Sequence, residues 1–206
     1  MKDLSLLLAS VILGGALGGA VTWLVDQMRM RQRVRRLLDM FEKVERVTLN
    51  EEFMMTALLA TKLVSGGWGK PDVIFAVSPG GNMVAEWLSR RFLGNWRKPI
   101  PICTLVVKTT RMATGQPSAE AIIERREIAE GCAAWPLADQ GKALLVSDIS
   151  RSGAALAVTF DFLAQHYGAD RVAMATLMCQ KGTPITPHFC LVKTDHVVRF
   201  DWKEQG

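Results

Sequence analysis

"ALLVSDISRSGAAL", residues 143–156, decides how the chain is read. Its leading apolar residues run without alternation, the mark of a strand buried on both faces. Asp148 ends the run, small and hydroxyl residues through Gly153 suit a turn, and apolar residues then return at helical spacing. A strand that turns straight into a helix aims free backbone N–H groups and the positive end of a helix dipole at one spot, which is an anion site. Ser152 adds a hydroxyl there and Gly153 permits close approach, while Arg151 either adds charge or points to solvent.

The pattern extends in both directions. "PDVIFAV" (71–77), "IPICTLVV" (100–107), "KALLVS" (142–147) and "RVAMATLMCQ" (171–180) read as buried strands, and "NMVAEWLSRRFL" (82–93) and "AALAVTFDFLAQHY" (154–167) as helices. Asn50, followed by Glu51 and Glu52, opens another helix that closes at Gly66 and Gly67 with a left-handed cap. Apolar strands alternating with helices specify an α/β fold, a parallel sheet with helices on both faces. Ligands of such sheets bind beyond the carboxyl ends of the strands. A second loop, Ser78-Pro79-Gly80-Gly81-Asn82, stands at such an end. Either loop alone is ordinary turn chemistry; two at neighbouring strand ends point to a shared pocket. Residues 108–137 break the pattern over a length that suits a lid.

With 49% hydrophobic and 22% charged residues in 206, the chain has the apolar surface for one ordinary domain plus an appendage. Leu4 to Val25 is a run of 22 residues without a charge, long enough to span a bilayer as a helix. A cleaved signal peptide is the alternative. "MKD" lacks its basic leader and the run exceeds its usual apolar length, which favours an uncleaved anchor. Arg29, Arg31, Arg33, Arg35 and Arg36 follow directly. They account for much of the net charge of +5 and, by the positive-inside rule, place the C-terminal domain of a single-pass protein in the cytoplasm. The expected organisation is a transmembrane anchor (1–27), a basic juxtamembrane helix (28–47) striped by Val34, Leu37, Leu38 and Phe41, and a domain over 48–206. The arginines either meet anionic headgroups or form a solvated face. Gly14 with Gly18 and Gly15 with Gly19 form overlapping GxxxG pairs that would let two spans pack as a homodimer, though glycine is also ordinary in membrane helices. Nucleic acid is not an expected partner, because aromatic residues are not interleaved with the basic ones. Cys103, Cys132, Cys179 and Cys190 have no metal-ligand spacing and read as buried thiols, reduced in a cytoplasmic domain.

"ALLVSDISRSGAAL" resembles the phosphoribosyl-diphosphate motif of the type I phosphoribosyltransferases: four apolar residues, two acids, three variable residues, Thr or Ser, then Gly. "VSPGGNMVAEWLS" resembles that family's pyrophosphate loop, and "VVKTTRM" stands where its mobile hood begins. "RVAMATLMCQKGTP" and "DHVVRFDW" are similar to the base-binding strand and terminal segment of the purine-salvage branch. The resemblance covers residues 48 to 206 and leaves the anchor outside.

The resemblance implies transfer of phosphoribose from phosphoribosyl diphosphate to a purine-type base, with Mg²⁺ as cofactor. It implies a phosphoribosyl-diphosphate site at Gly80, Gly81, Asp148, Ser150, Arg151, Ser152, Gly153 and Ala154. Asp148 would accept ribose hydroxyls and reach the metal directly or through water; Lys108 and Arg111 would join it at the reacting diphosphate. Lys181 would contact the exocyclic oxygen of the base, bracketed by His196 and Val197. Turn-flanking lysine and half-buried histidine are the plainer readings of Lys181 and His196. The chain departs from the family's pattern at Ser147, where the first acid of the pair is expected, at Arg151 and Lys203, where acids are usual, and at Pro79, commonly basic. These changes spare phosphate binding more than catalysis. The alternative is therefore a weakened module that binds a nucleotide or phosphoribosyl diphosphate and signals at the membrane.

Overall fold

The computed structural model describes residues 28–94, 98–107, 110–111, 117–118, 124–127, 141–183 and 185–201. The expected span at 4–25, its glycine pairs and Lys108 lie outside them. Among the described residues no helix is long and apolar enough to cross a membrane. Residues 28–42 form helix α1, whose less exposed positions include the expected stripe of Val34, Leu37, Leu38 and Phe41. It stops short of residue 47 because Arg46–Val47 is drawn into a strand, β1. A compact unit begins at Glu42 and carries the rest of the chain.

Helix α2 (Leu49–Ser65) starts earlier than Asn50 would place it. The reason is a capping box: the Thr48 hydroxyl accepts from the Glu51 amide at 3.3 Å, and the Glu51 carboxylate accepts from the Thr48 amide at 2.8 Å. Its far end is a Schellman closure, with the Trp68 amide donating to Leu63 and the Gly67 amide to Val64, and Gly67 takes the expected left-handed conformation.

Five parallel strands follow: β2 (Val73–Ser78), β3 (Ile102–Val106), then β7 (Ala143–Ser150), β8 (Val172–Gln180) and β9 (Phe189–Thr194). Between β3 and β7, Thr110–Arg111 (β4) pairs with Pro117–Ser118 (β5), and Glu124–Glu127 (β6) returns antiparallel to the free edge of β3. The sheet order is β6-β3-β2-β7-β8-β9. Strand β9 adds to the expected set; it alternates buried with more exposed residues, as an edge strand does, whereas continuous apolar runs reveal only central strands.

Phe75, Val77, Leu145 and Met174 face Leu156 and Leu163 of helix α4 (Ala154–Tyr167) in one core. The alternate residues Ile74, Ala76, Leu144 and Val146 are equally buried. They lie on the side where α3 (Gly80–Trp87) packs on β2 and β7, next to α2. Helices therefore cover both faces, as the apolar strands require. Cys179 and Cys190 are joined by a disulfide, a correction to the expectation that both are reduced thiols; Cys103 is buried.

Residues 42–47 are stitched to the C-terminal segment. Strand β1 pairs parallel with Arg199–Phe200 (β10), and the Arg199 amide donates to Glu45. Arg46 pairs with Asp201 at 2.5 Å, and the Lys181 ammonium reaches Glu42 at 2.6 Å and Asp195 at 3.0 Å. The hydrogen bonds to Glu42 and then Asp195 raise the Lys181 pKa above 10.5, so the latch holds below that pH and weakens as pH rises through the raised value. Val47 is almost fully buried, which contributes roughly 1.5–3 kcal/mol. A fragment starting at Thr48 is expected to melt about 5–10 °C below one starting at Glu42. Hydrogen exchange should show the Arg199 amide protected only in the longer fragment; equal melting and equal protection would mean the ribbon contributes nothing.

Candidate functional site

The site arises where the sheet divides. Strands β2 and β7 pair only as far as Ala76 and Val146. Beyond that register β2 stays with β3 through Ser78, while β7 stays with β8 through Ser150. Helices leave the two strands on opposite faces, so this is the topological switch point of the sheet, where a crevice must open. A cleft of about 400 Å³ lies there, with Ser78, Pro79 and Gly80 on one wall and Ser147 to Leu156 on the other.

The Ser78–Pro79 peptide is cis, and α3 begins at once at Gly80. A Cβ at Gly80 would overlap the Asp148 carboxylate, and one at Gly81 would stand 2.5 Å from the Val146 carbonyl oxygen. The paired glycines let the first turn of α3 settle onto β7. Asn82 braces this loop, accepting from the Thr104 hydroxyl at 3.2 Å.

On the other wall the strand continues past its expected end at Ser147. Ile149 and Ser150 still pair with Met178 and Cys179 of β8, which holds Asp148 on rigid backbone. Asp148 is 3% exposed; one carboxylate oxygen accepts from the Ile149 amide at 2.7 Å and from the Ser147 hydroxyl at 3.3 Å. Ser147, in the place of a second acid, thus supports the first. The Ser150 hydroxyl is equally buried, lines the cleft and has no hydrogen-bond partner among the described residues. The turn itself is Arg151-Ser152-Gly153, with Gly153 at φ +78°. Ile185 packs behind it, 2.7 Å from where a Cβ on Gly153 would stand. That neighbour escapes sequence reasoning; only "GTPIT" as a loop beyond a strand end signals it. Ala154 opens the 14-residue α4, and Ala154, Ala155 and Leu156 of its first turn line the same cleft, the Ala154 amide donating to the Ser152 hydroxyl at 3.4 Å.

The residues expected to bind a base stand outside the lining of this cleft. His196 and Val197 line a second cleft of about 520 Å³ with Glu45, Arg46 and Arg199, not the first. Lys181 is held by Glu42 and Asp195. Arg111 lies in β4, its side chain outside the description, as is the whole of Lys108. Arg151 links the clefts: it lines the first and donates to the Val198 carbonyl at 3.5 Å, between two residues of the second.

Comparison with known proteins accords with this geometry. A purine phosphoribosyltransferase from Pyrococcus horikoshii Ot3 superposes with a TM-score of 0.56 at 25% identity, covering 77% of this chain and 95% of that one. A Neisseria gonorrhoeae protein solved with bound ppGpp gives 0.56 at 20% identity, over 77% and 89% of the two chains. The Helicobacter pylori xanthine-guanine-hypoxanthine phosphoribosyltransferase gives 0.56 at 15%, over 78% and 94%. A search of curated protein sequences finds no match. The family model for the phosphoribosyl transferase domain matches residues 47–206, so this chain belongs to the phosphoribosyltransferase family.

Proposed function

We propose that the protein is a membrane-anchored enzyme that binds phosphoribosyl diphosphate and transfers its phosphoribose to a purine-type base. The observation that carries this is the glycine turn at the head of α4, set across a parted sheet from a second glycine loop. Arg151, Ser152 and Gly153 with the first turn of α4 take the 5-phosphate, where helix dipole and free amides favour an anion. Asp148 accepts the ribose hydroxyls, and Ser150 offers its unpartnered hydroxyl nearby. Amides at Gly80 and Gly81, with Lys108 and Arg111, hold the diphosphate, and residues 108–137 exclude water from the reacting sugar. Lys181, whose ammonium Glu42 and Asp195 hold in this structure, contacts the exocyclic oxygen of the base, and His196 and Val197 bracket the ring.

Among the described residues Asp148 is the one carboxylate lining the cleft, and no three potential metal ligands gather. That donor set fits Mg²⁺ arriving with the substrate, since magnesium binds through one or two carboxylates plus substrate phosphates. When bound it neutralises charge on the departing diphosphate. The same single carboxylate favours a second reading, a nucleotide or phosphoribosyl-diphosphate sensor that binds without turnover.

The uncharged run at 4–25 and the arginines after it support a single-pass anchor with the domain on the cytoplasmic side. Full-length protein in inverted membrane vesicles, given phosphoribosyl diphosphate, Mg²⁺ and a panel of bases, is expected to release diphosphate in a base-dependent manner; right-side-out vesicles should be silent. Stabilisation by phosphoribosyl diphosphate without release from any preparation, detergent-solubilised included, would establish the sensor instead.

A further inference from the structure

We propose that Cys179 and Cys190 form a reversible thiol–disulfide exchange site, whose state sets how firmly the turn at Gly153 holds a phosphate. The inference rests on the reading of that turn as the 5-phosphate position and on the cytoplasmic placement of the domain proposed above. The two cysteines stand one residue inside the facing ends of β8 and β9, so their bond closes the connection over 181–188 at its base. That connection lies behind the phosphate turn: a Cβ on Gly153 would stand 2.7 Å from the Ile185 Cβ and 3.2 Å from the Thr183 hydroxyl oxygen. Cys179 also pairs in register with Ser150, the last residue of β7 before the turn. The bond thus ties the strand beside the turn's approach to the far end of the loop packed behind it.

Disulfides are rare in a reducing cytoplasm, and those that form there are usually transient, catalytic or redox-sensing. The co-reactant is a low-molecular-weight thiol. Cys179 is 1% exposed, whereas Cys190 is 9% exposed and lies on β9, the edge strand of the sheet. The incoming thiolate therefore attacks the Cys190 sulfur, and the S–S bond breaks with its electron pair leaving on the Cys179 sulfur. A second thiolate attacks the sulfur of the first, and Cys190 leaves in turn as a thiolate. The two protons of the reacting thiols pass to the two cysteines, and the thiols end as one disulfide. Oxidation is the reverse, with a low-molecular-weight disulfide as the oxidant. Opening the bond returns conformational freedom to 181–188, so a ligand that needs Ile185 and Thr183 fixed behind the turn must then order them itself. The oxidised form binds the phosphate more tightly, and by linkage the bound ligand opposes reduction by the same factor.

The full-length protein in detergent, equilibrated with mixtures of reduced and oxidised glutathione, tests this. Alkylation of free thiols followed by peptide mass analysis reports the Cys179–Cys190 bond, and calorimetric titration reports the affinity for phosphoribosyl diphosphate. The bond is expected to open reversibly as reduced glutathione comes to dominate, with affinity falling about five- to tenfold. Phosphoribosyl diphosphate should shift the glutathione ratio at half-reduction by the same factor, a readout independent of turnover. Cys179→Ser combined with Cys190→Ser should bind as the reduced wild type does and ignore glutathione, although Cys103 and Cys132 remain. Reduction of the wild type supplies the same comparison without a substitution. A bond that stays closed in the folded protein at every ratio is a structural staple, and the proposal falls. It falls equally if the oxidised and reduced forms bind phosphoribosyl diphosphate alike. Absence of binding in both states would overturn the reading of the turn as a phosphate site, and this proposal with it.

Discussion

Replacing Gly153 with valine is expected to abolish stabilisation by phosphoribosyl diphosphate and to lower the melting temperature of the ligand-free protein. Two separate physical costs act at this position. The backbone sits at φ +78°, which a β-branched residue adopts only at a cost of about 1–3 kcal/mol. The new side chain would also enter the space of Ile185, already 2.7 Å from the first added carbon. Relief of either cost moves Arg151 and Ser152 off the head of α4, and with them the phosphate position. Gly153→Ala combined with Ile185→Gly separates the two: it removes the Cβ 2.7 Å away and keeps the strained φ, so part of the ligand response should return. Titration with phosphoribosyl diphosphate followed by thermal melting checks both variants. Near-normal affinity in Gly153→Val would contradict the assignment of the turn.

The second large effect is expected at Asp148. Asp148→Asn keeps the size of the side chain and an oxygen for the Ile149 amide, so folding should survive. The charge is lost beside the first turn of α3, where the helix dipole favours an anion. A ribose hydroxyl then donates to a neutral amide oxygen or meets an NH₂ donor. Loss of one charged hydrogen bond corresponds to about ten- to a hundredfold in affinity for the ribose-bearing ligand. Inorganic phosphate, which has no hydroxyls to recognise, should bind the variant as it binds the wild type. Equal weakening for phosphate and phosphoribosyl diphosphate would place Asp148 in the phosphate grip and not under the ribose.

The same two positions illustrate what could be read in advance. Strands without alternation, a lone acid, small turn residues and a helix are local features, each set by neighbours within a few residues. The α/β class, both glycine loops and their place at strand ends followed from them. Register and contacts between distant segments did not. That β7 runs on to Ser150 depends on pairing with Met178 and Cys179 of β8, which no local pattern announces. The start of α2 at Thr48 was present as a Thr-x-x-Glu box, but the later Asn50 competed for the same role with an equally good capping side chain.

By itself the sequence determined that a parallel sheet presents two glycine-bearing turns at its carboxyl edge, because apolar run length and turn chemistry are properties of short stretches. Only the tertiary structure decided where the sheet parts, which strand closes its edge, and what the long cationic side chains touch. Lys181 finds Glu42 across 139 residues of chain, and Arg151 finds the carbonyl of Val198 across 47. Flexible charged side chains take their partners from whatever the fold brings within reach, and that proximity is set by packing of the whole unit.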